Sequence, residues 1–173
     1  MRKIFYLLLS MALLLTGCNG STTAEADNIL TELYDDYIKA EEIIFCADLS
    51  DEALLEENGQ TYYALSAKYE CETVSQLKEL LEKVYTQSKV QQLMEVYVIG
   101  ENKIFKEIDG KLGRIPADAP IADFELPVKD ADKVNDNEIV VKTVELNDIL
   151  SQIEISLQKE NAGWRIAEVR QLD

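Results

Sequence analysis

The chain has 173 residues, of which 33 are acidic and 17 basic, with no histidine and a formal net charge of −16 at pH 7. This length suits a single domain with its own hydrophobic core. So negative a surface is repelled by nucleic acid, anionic headgroups and anionic wall polymers, and the lack of histidine excludes a Ser-His-Asp triad or a Cys-His pair.

Residues 1–18 have the pattern of a bacterial lipoprotein signal. Arg2 and Lys3 precede an apolar run, residues 4–15, that is too short to span a membrane. The Leu-Thr-Gly-Cys sequence at 15–18 resembles the lipobox, in which the cysteine receives a diacylglyceryl group. We therefore expect an extracytoplasmic protein held on the cell membrane by a lipidated N-terminal cysteine.

The domain boundaries follow from this interpretation. Residues 1–17 are predicted to be the signal peptide, residues 18–26 the lipidated Cys18 and a flexible tether, and residues 27–173 a single domain. Loss of Arg2 and Lys3 with the signal peptide changes the net charge from −16 to −18. The alternative is an ordinary signal peptide cut elsewhere, with Cys18 a spare thiol.

The first half of the domain has mainly helical periodicity. Apolar residues recur at steps of three and four from Asp27, placed to cap the helix, to about Phe45. Residues 46–59 are predicted to be a loop with a short helical turn, ending in a turn at Asn58-Gly59, and residues 60–66 a strand. Thr73 begins a second helix with a capping box, and Thr86 or Ser88 caps a third.

The second half changes to strands. Asp109-Gly110 predicts a hairpin turn, residues 139–144 a largely buried strand, and residues 153–157 a strand with one dry face. A turn at 161–163 leads into a last strand, residues 164–169. Trp164 and Ile166 share a face of it that Val169 does not, which indicates either a bulge or an end effect there. Helices early and strands late predict an α+β fold, with helices packed on a curved antiparallel sheet.

Cys46 and Cys71 allow two alternatives outside the cytoplasm, a disulfide or two buried thiols. Catalysis by a thiol is disfavoured because no histidine can accept its proton. We expect no enzyme activity, no cofactor and no metal. Asp130, Asp132 and Asp136 lack the glycine and terminal glutamate of an EF-hand loop.

Five tyrosines could line an aromatic pocket for a ligand, and they are Tyr62, Tyr63, Tyr69, Tyr85 and Tyr97. The favoured alternative is that these tyrosines pack in the core.

Four stretches together resemble the IseA family. They are Gly59–Ser66, the leucine-rich helix from Thr73 through Tyr85-Thr86, the segment Val90–Met94, and the Gly-Trp-Arg-Ile-Ala-Glu-Val sequence at 163–169. The resemblance implies a cystatin-like or NTF2-like α+β fold and inhibition of peptidoglycan D,L-endopeptidases of the NlpC/P60 type. The alternative is an NTF2-like lipoprotein that binds a small ligand or acts as an envelope scaffold.

The expected partner is a basic cell-wall hydrolase. Its expected contact site is the acidic segment 117–137, and the other interpretation of that segment is a solvated loop. The acidic residues concerned are Asp118, Asp123, Glu125, Asp130, Asp132 and Asp136. Complementary charge mainly raises the association rate. Alternatively, the acidity only keeps an exported protein soluble.

The lipobox predicts that Cys18 carries the only fatty-acid label. Cells expressing the chain and fed a clickable fatty acid should yield a labelled protein, and Cys18→Ala should abolish the label. Unchanged labelling of Cys18→Ala would contradict the assignment.

Overall fold

The computed structural model describes residues 17–101, 103–117, 119–144 and 152–172. Across these residues the chain forms three α-helices: α1 (Gly17–Glu41), α2 (Val74–Val84) and α3 (Gln87–Met94). It also forms eight strands: β1 (Leu49–Glu57), β2 (Gln60–Leu65), β3 (Phe105–Ile108), β4 (Lys111–Arg114), β5 (Asp130–Asn135), β6 (Glu138–Val144), β7 (Gln152–Glu160) and β8 (Gly163–Leu172). The predicted α+β fold is confirmed.

Helix α1 begins ten residues earlier than Asp27, so the prediction of a flexible tether at 18–26 is wrong. Thr22 and Ala26 are buried, and they continue the apolar face of Ile29 and Leu30 at helical spacing. Small side chains on this first part of α1 let the helix pack closely against its neighbours. Asp27 lies inside the helix, where its carboxylate accepts a hydrogen bond from the Val128 N–H at 3.0 Å.

The apolar face of α1 continues past Glu41, as predicted. A short π-helical turn, Glu42–Cys46, follows and buries Ile43 and Ile44. The chain then enters β1, so the loop and helical turn predicted at 46–59 are wrong.

Strand β1 pairs with β2 through a two-residue turn at Asn58-Gly59. Both turn residues have left-handed φ angles, 52° and 76°, as a type I′ hairpin requires. Asp109-Gly110 forms the same kind of turn between β3 and β4, with φ angles of 50° and 78°. Both turn predictions are confirmed.

The two short helices begin where their capping residues predict. The Thr73 hydroxyl accepts from the Gln76 N–H, and the Gln76 side chain accepts from the Thr73 N–H, which completes the capping box. Thr86, rather than Ser88, caps α3.

The strands form two antiparallel sheets instead of the one expected. Sheet A has the order β1-β2-β4-β3, and sheet B has the order β5-β6-β7-β8. In sheet B, Ile153, Ile155 and Leu157 face the core, as predicted. Strand β6 buries Ile139 and Val141 but exposes Lys142, so it is buried on one face only.

The predicted irregularity near the end of β8 is present. Ser156 pairs with Glu168 while Leu157 pairs with Ile166, so Ala167 is the extra residue of a β-bulge. The bulge brings Val169 opposite Ile155, and both residues pack in the core.

One hydrophobic core joins the helices and both sheets. The first part of α1 lies against β5 of sheet B, and Asp27 contacts Val128 just before that strand. Just past its end it meets sheet A, where the buried Arg114 guanidinium donates to the Ile44 carbonyl at 2.9 Å. The two sheets therefore lie toward opposite ends of a helix roughly 37 Å long.

The capping box at α2 supports a stability prediction. Thr73→Ala should lower the free energy of unfolding by about 1 kcal/mol, because it removes the N-terminal cap. Ser88→Ala, in the first turn of α3, should change it by less than about 0.5 kcal/mol. Urea unfolding of both variants measures the difference, and equal losses would contradict the assigned caps.

Candidate functional site

Residues 119–128, here called the crossing segment, connect sheet A to sheet B along α1. The Ala119 N–H donates to the Phe45 carbonyl at 3.1 Å, and the Tyr37 hydroxyl donates to the Ala122 carbonyl. The Phe124 ring packs against Tyr37 with 5.2 Å between the ring centroids. The crossing segment is thus fixed in the fold and does not protrude.

The Asp123 carboxylate helps to attach the crossing segment to α1. Its carboxylate accepts from the Tyr34 hydroxyl at 2.7 Å and from the Phe124 N–H at 2.8 Å. Burial, and next the hydrogen bond to Asp123, raise the pKa of Tyr34 to about 12. Asp123 therefore serves the fold, which argues against its expected role in partner contact.

Two other predicted contact residues pair with lysines of their own segments. Glu125 contacts Lys129 at 3.0 Å, and Asp136 contacts Lys133 at 2.9 Å. The hydrogen bond from Lys133, and then the charge of Lys133, lower the pKa of Asp136. Exposed pairs such as these contribute little stability, but they cancel charge locally.

Asp130 and Asp132 lie on β5, so residues 130–135 are a strand and not part of a loop. Asp130 pairs across the sheet with Lys142, which pairs with Glu154. Glu154 in turn forms an ion pair with Arg170. Charges of alternating sign thus cross sheet B, and this row of side chains gives a cationic partner little net field.

The expected acidic contact loop at 117–137 is therefore not present as such. Its residues are divided among the crossing segment, β5 and the β5–β6 turn. Asp118 lies outside the described residues.

The negative charge is concentrated instead in the first part of the chain. Residues 4–67 contain twelve acidic residues and a single basic one, Lys39, whereas residues 68–172 contain twenty acidic and fourteen basic residues. The exposed acidic residues of α1 are Glu25, Glu32 and Asp35, and those of β1 are Asp51, Glu52, Glu56 and Glu57. We take the exposed acidic residues of α1 and β1, here called the acidic region, as the candidate binding residues.

A cavity of about 290 Å³ lies beside β1, between β2 and the segment that leads into α2. Glu52, Glu70 and Glu72 line it, and Lys111 pairs with Glu52 at 2.7 Å. Cys71 also lines it. The cavity extends the acidic surface.

Cys46 and Cys71 are thiols in the structure, and no disulfide joins them. Burial raises the pKa of the Cys71 thiol to about 11. At neutral pH Cys71 is therefore protonated and a poor nucleophile.

Glu41, at the end of α1, is the acidic residue most affected by burial. Burial raises its pKa, while a hydrogen bond from the Tyr85 hydroxyl, the charge of Lys89 and the Ala122 backbone lower it in part. Burial, and then the charge of Glu41, raise the pKa of Tyr85. This group links α1, the end of α2 and the crossing segment.

The five tyrosines do not form an aromatic pocket along the described residues. Tyr62, Tyr69 and Tyr85 are buried in the fold, and Tyr63 and Tyr97 are half-buried. The cavity beside β1 has no tyrosine in its lining.

Within the described ranges, no group of three or more metal-ligating side chains converges. None of the helices in that part of the chain has the length and apolar character needed to span a membrane.

Sequence reasoning missed β1 because Asp, Ser and Glu make its composition loop-like. A usable signal was present in the Asn58-Gly59 turn. Because a two-residue turn joins two strands, the strand predicted at 60–66 implies a partner strand just before residue 58.

Comparison of the chain with protein-family models, with curated proteins and with solved structures finds no match.

The position of Glu41 supports a pH prediction. A carboxyl group whose pKa is higher in the folded than in the unfolded protein stabilises the fold most below its ordinary pKa, 4.5, and this stability is lost as pH rises through the folded value. Glu41→Gln should therefore gain stability relative to wild type on going from pH 4 to pH 8.

Urea unfolding at several pH values measures this effect. Glu32→Gln, on the exposed face of the same helix, is the matched control and should track wild type. If the difference in unfolding free energy between Glu41→Gln and wild type does not change with pH, the raised pKa assigned to Glu41 is contradicted.

Proposed function

We propose that this chain is an extracytoplasmic lipoprotein, anchored through Cys18, that binds a basic protein and catalyses no reaction itself. The partner class we propose is a peptidoglycan D,L-endopeptidase of the NlpC/P60 type, which the lipoprotein inhibits. The observation that carries this proposal is the acidic region formed by α1 and β1, with a single basic residue in positions 4–67.

The geometry of α1 supports anchoring close to the membrane. The helix includes Cys18, and Thr22, only four residues later, is already buried against the domain. A lipid on Cys18 would hold the domain at the membrane surface without a long tether, and its two acyl chains give stable attachment.

Charge complementarity supports a cationic partner. An enzyme that acts on an anionic wall benefits from a basic surface, and opposite potentials increase the rate at which two proteins associate. Exposed ion pairs contribute only about 0 to 1 kcal/mol each, so the acidic region determines selectivity and rate more than affinity.

The resemblance to the IseA family suggests which reaction this lipoprotein inhibits. The resemblance depends on the strand at 60–66, the capped helix at Thr73 and the strand that begins at Gly163. The carboxylate-lined cavity beside β1 does not favour the alternative, an aromatic pocket for a small ligand.

The proposal predicts salt-sensitive inhibition. The full lipidated chain in detergent micelles should reduce muropeptide release by a purified NlpC/P60 hydrolase in proportion to the amount added. Its association rate should fall at least tenfold from about 0.01 M to about 1 M salt, which shortens the Debye length from roughly 30 Å to roughly 3 Å.

Chromatography measures muropeptide release, and surface plasmon resonance measures the association rate of the lipoprotein and the hydrolase. A hydrolase of acidic surface provides the control and should associate slowly at every salt concentration. Undiminished cleavage in excess lipoprotein would refute the inhibitory role, and salt-independent association would remove the charge argument.

A further inference from the structure

We propose that the outer edge of β1 is the docking site and that it takes an extended basic segment of the partner as an added strand of sheet A. This inference rests on the proposed function in one respect, namely that the partner is cationic.

The outer edge of β1 has no strand paired to it. β1 lies at one end of sheet A and has nine residues, whereas β3 at the opposite end has four. The register of β1 against β2 shifts between Leu49 and Ala53 and again between Ala53 and Leu55, so the regular part of the ladder is Leu55–Glu57, next to the turn. In the part of the chain that the structure describes, the backbone hydrogen bonds of β1 run to β2 only. Such an edge is a template for one more strand.

The hairpin geometry shows where the backbone groups point. Glu57 and Gln60 flank the two-residue turn and pair with each other. In an antiparallel pair the bonded positions alternate, so the N–H and C=O of the next residue, Glu56, face away from β2. Glu56 can therefore exchange backbone hydrogen bonds with an incoming strand.

The charge on this edge selects the partner. Glu52 and Glu57 are matched from within sheet A by Lys111 at 2.7 Å and Lys106 at 2.8 Å. Asp51 and Glu56 are exposed, and they form no ion pair within the described ranges. Lysine or arginine side chains at alternate positions of an added strand would supply the missing charges.

The other sheet edges fit such a segment less well. The middle of β8 is covered, since Tyr85 forms a bridge with Ile166 and the Thr86 N–H donates to the Ile166 carbonyl at 3.1 Å. The edge strand β5 includes Lys133, and Asp130 on it faces Lys142. Strand β1 is therefore the edge that combines outward backbone groups at Glu56, exposed side chains and uncompensated negative charge.

The position of β1 also suits a partner in the wall. The first part of α1 lies against β5 of sheet B and its far end leads to sheet A, and the two ends of the helix are roughly 37 Å apart. With Cys18 at the membrane, sheet A lies toward the end of the helix that is away from the anchor.

Two probes test this inference on the full lipidated chain in micelles, namely a synthetic peptide of alternating lysine and threonine and a purified basic NlpC/P60 hydrolase. Both should slow hydrogen exchange of backbone amides within residues 49–57. Glu56→Pro, which removes an outward N–H, should weaken binding of both at least tenfold.

A second variant tests the same site without placing a proline in β1, so its result does not depend on whether β1 still folds with proline. Asp51→Asn combined with Glu56→Gln should weaken binding about tenfold while unfolding like wild type. The matched control is Asp130→Asn combined with Asp132→Asn, which removes two carboxylates from the other edge strand and should leave binding unchanged.

The outcomes separate this inference from the proposed function. A hydrolase that is inhibited equally by wild type and the β1 variants, with protection elsewhere, overturns the docking site and leaves the function intact. A peptide that protects β1 while the hydrolase is neither bound nor inhibited supports the site and contradicts the proposed partner. Binding of neither probe overturns the inference, and the acidic edge then only guards against self-association.

Discussion

The attachment of the crossing segment to α1 is the contact on which the arrangement of this molecule depends. Tyr34 and Tyr37 donate hydrogen bonds to it, Phe124 inserts its ring beside them, and the Asp27 carboxylate accepts from its last part. These contacts hold the connection between the two sheets on one face of a single long helix. Because the connection is fixed, the relative positions of the acidic edge, the neutralised sheet and the anchor end are fixed too.

Net charge alone is a poor guide to a binding surface here. The densest run of acidic residues after Pro116 is used for packing, for short-range lysine pairs and for an alternating row across sheet B. Residues 4–67 contain twelve acidic residues and a single basic one, Lys39, so their field is not cancelled. The positions of the basic residues determine which acidic side chains stay uncompensated and attract a cationic partner. Those positions depend on cross-strand register as much as on composition.

Local signals with a defined geometry were predictable from sequence. The capping box at Thr73, the two left-handed turns and the alternation of Ile153, Ile155 and Leu157 each require a particular backbone conformation, and the structure has it. The bulge at Ala167 was predictable because Trp164 and Ile166 share a face that Val169 can join only after a shift of register.

Features that depend on tertiary contacts were not predictable. The leucines of strand β1, at positions 49, 54 and 55, are only half-buried, and the strand gains its conformation from β2. The first part of α1 is small and polar in sequence and becomes helical where Thr22 and Ala26 pack into the fold. The roles of Asp123 and Glu41 depend on tyrosines that are distant in sequence, and no local spacing indicates them.

The central claim is that the acidic region of α1 and β1, and not sheet B, attracts the partner. Two quadruple variants, in which Asp is replaced by Asn and Glu by Gln, compare the two surfaces directly. The first set is Glu32, Asp35, Asp51 and Glu56, and the second set is Asp130, Asp132, Glu138 and Glu168. The measurement is the slope of the association rate with a basic hydrolase against salt concentration. The account predicts that the first set flattens this slope markedly while the second leaves it near that of wild type. Equal slopes for the two sets would contradict it.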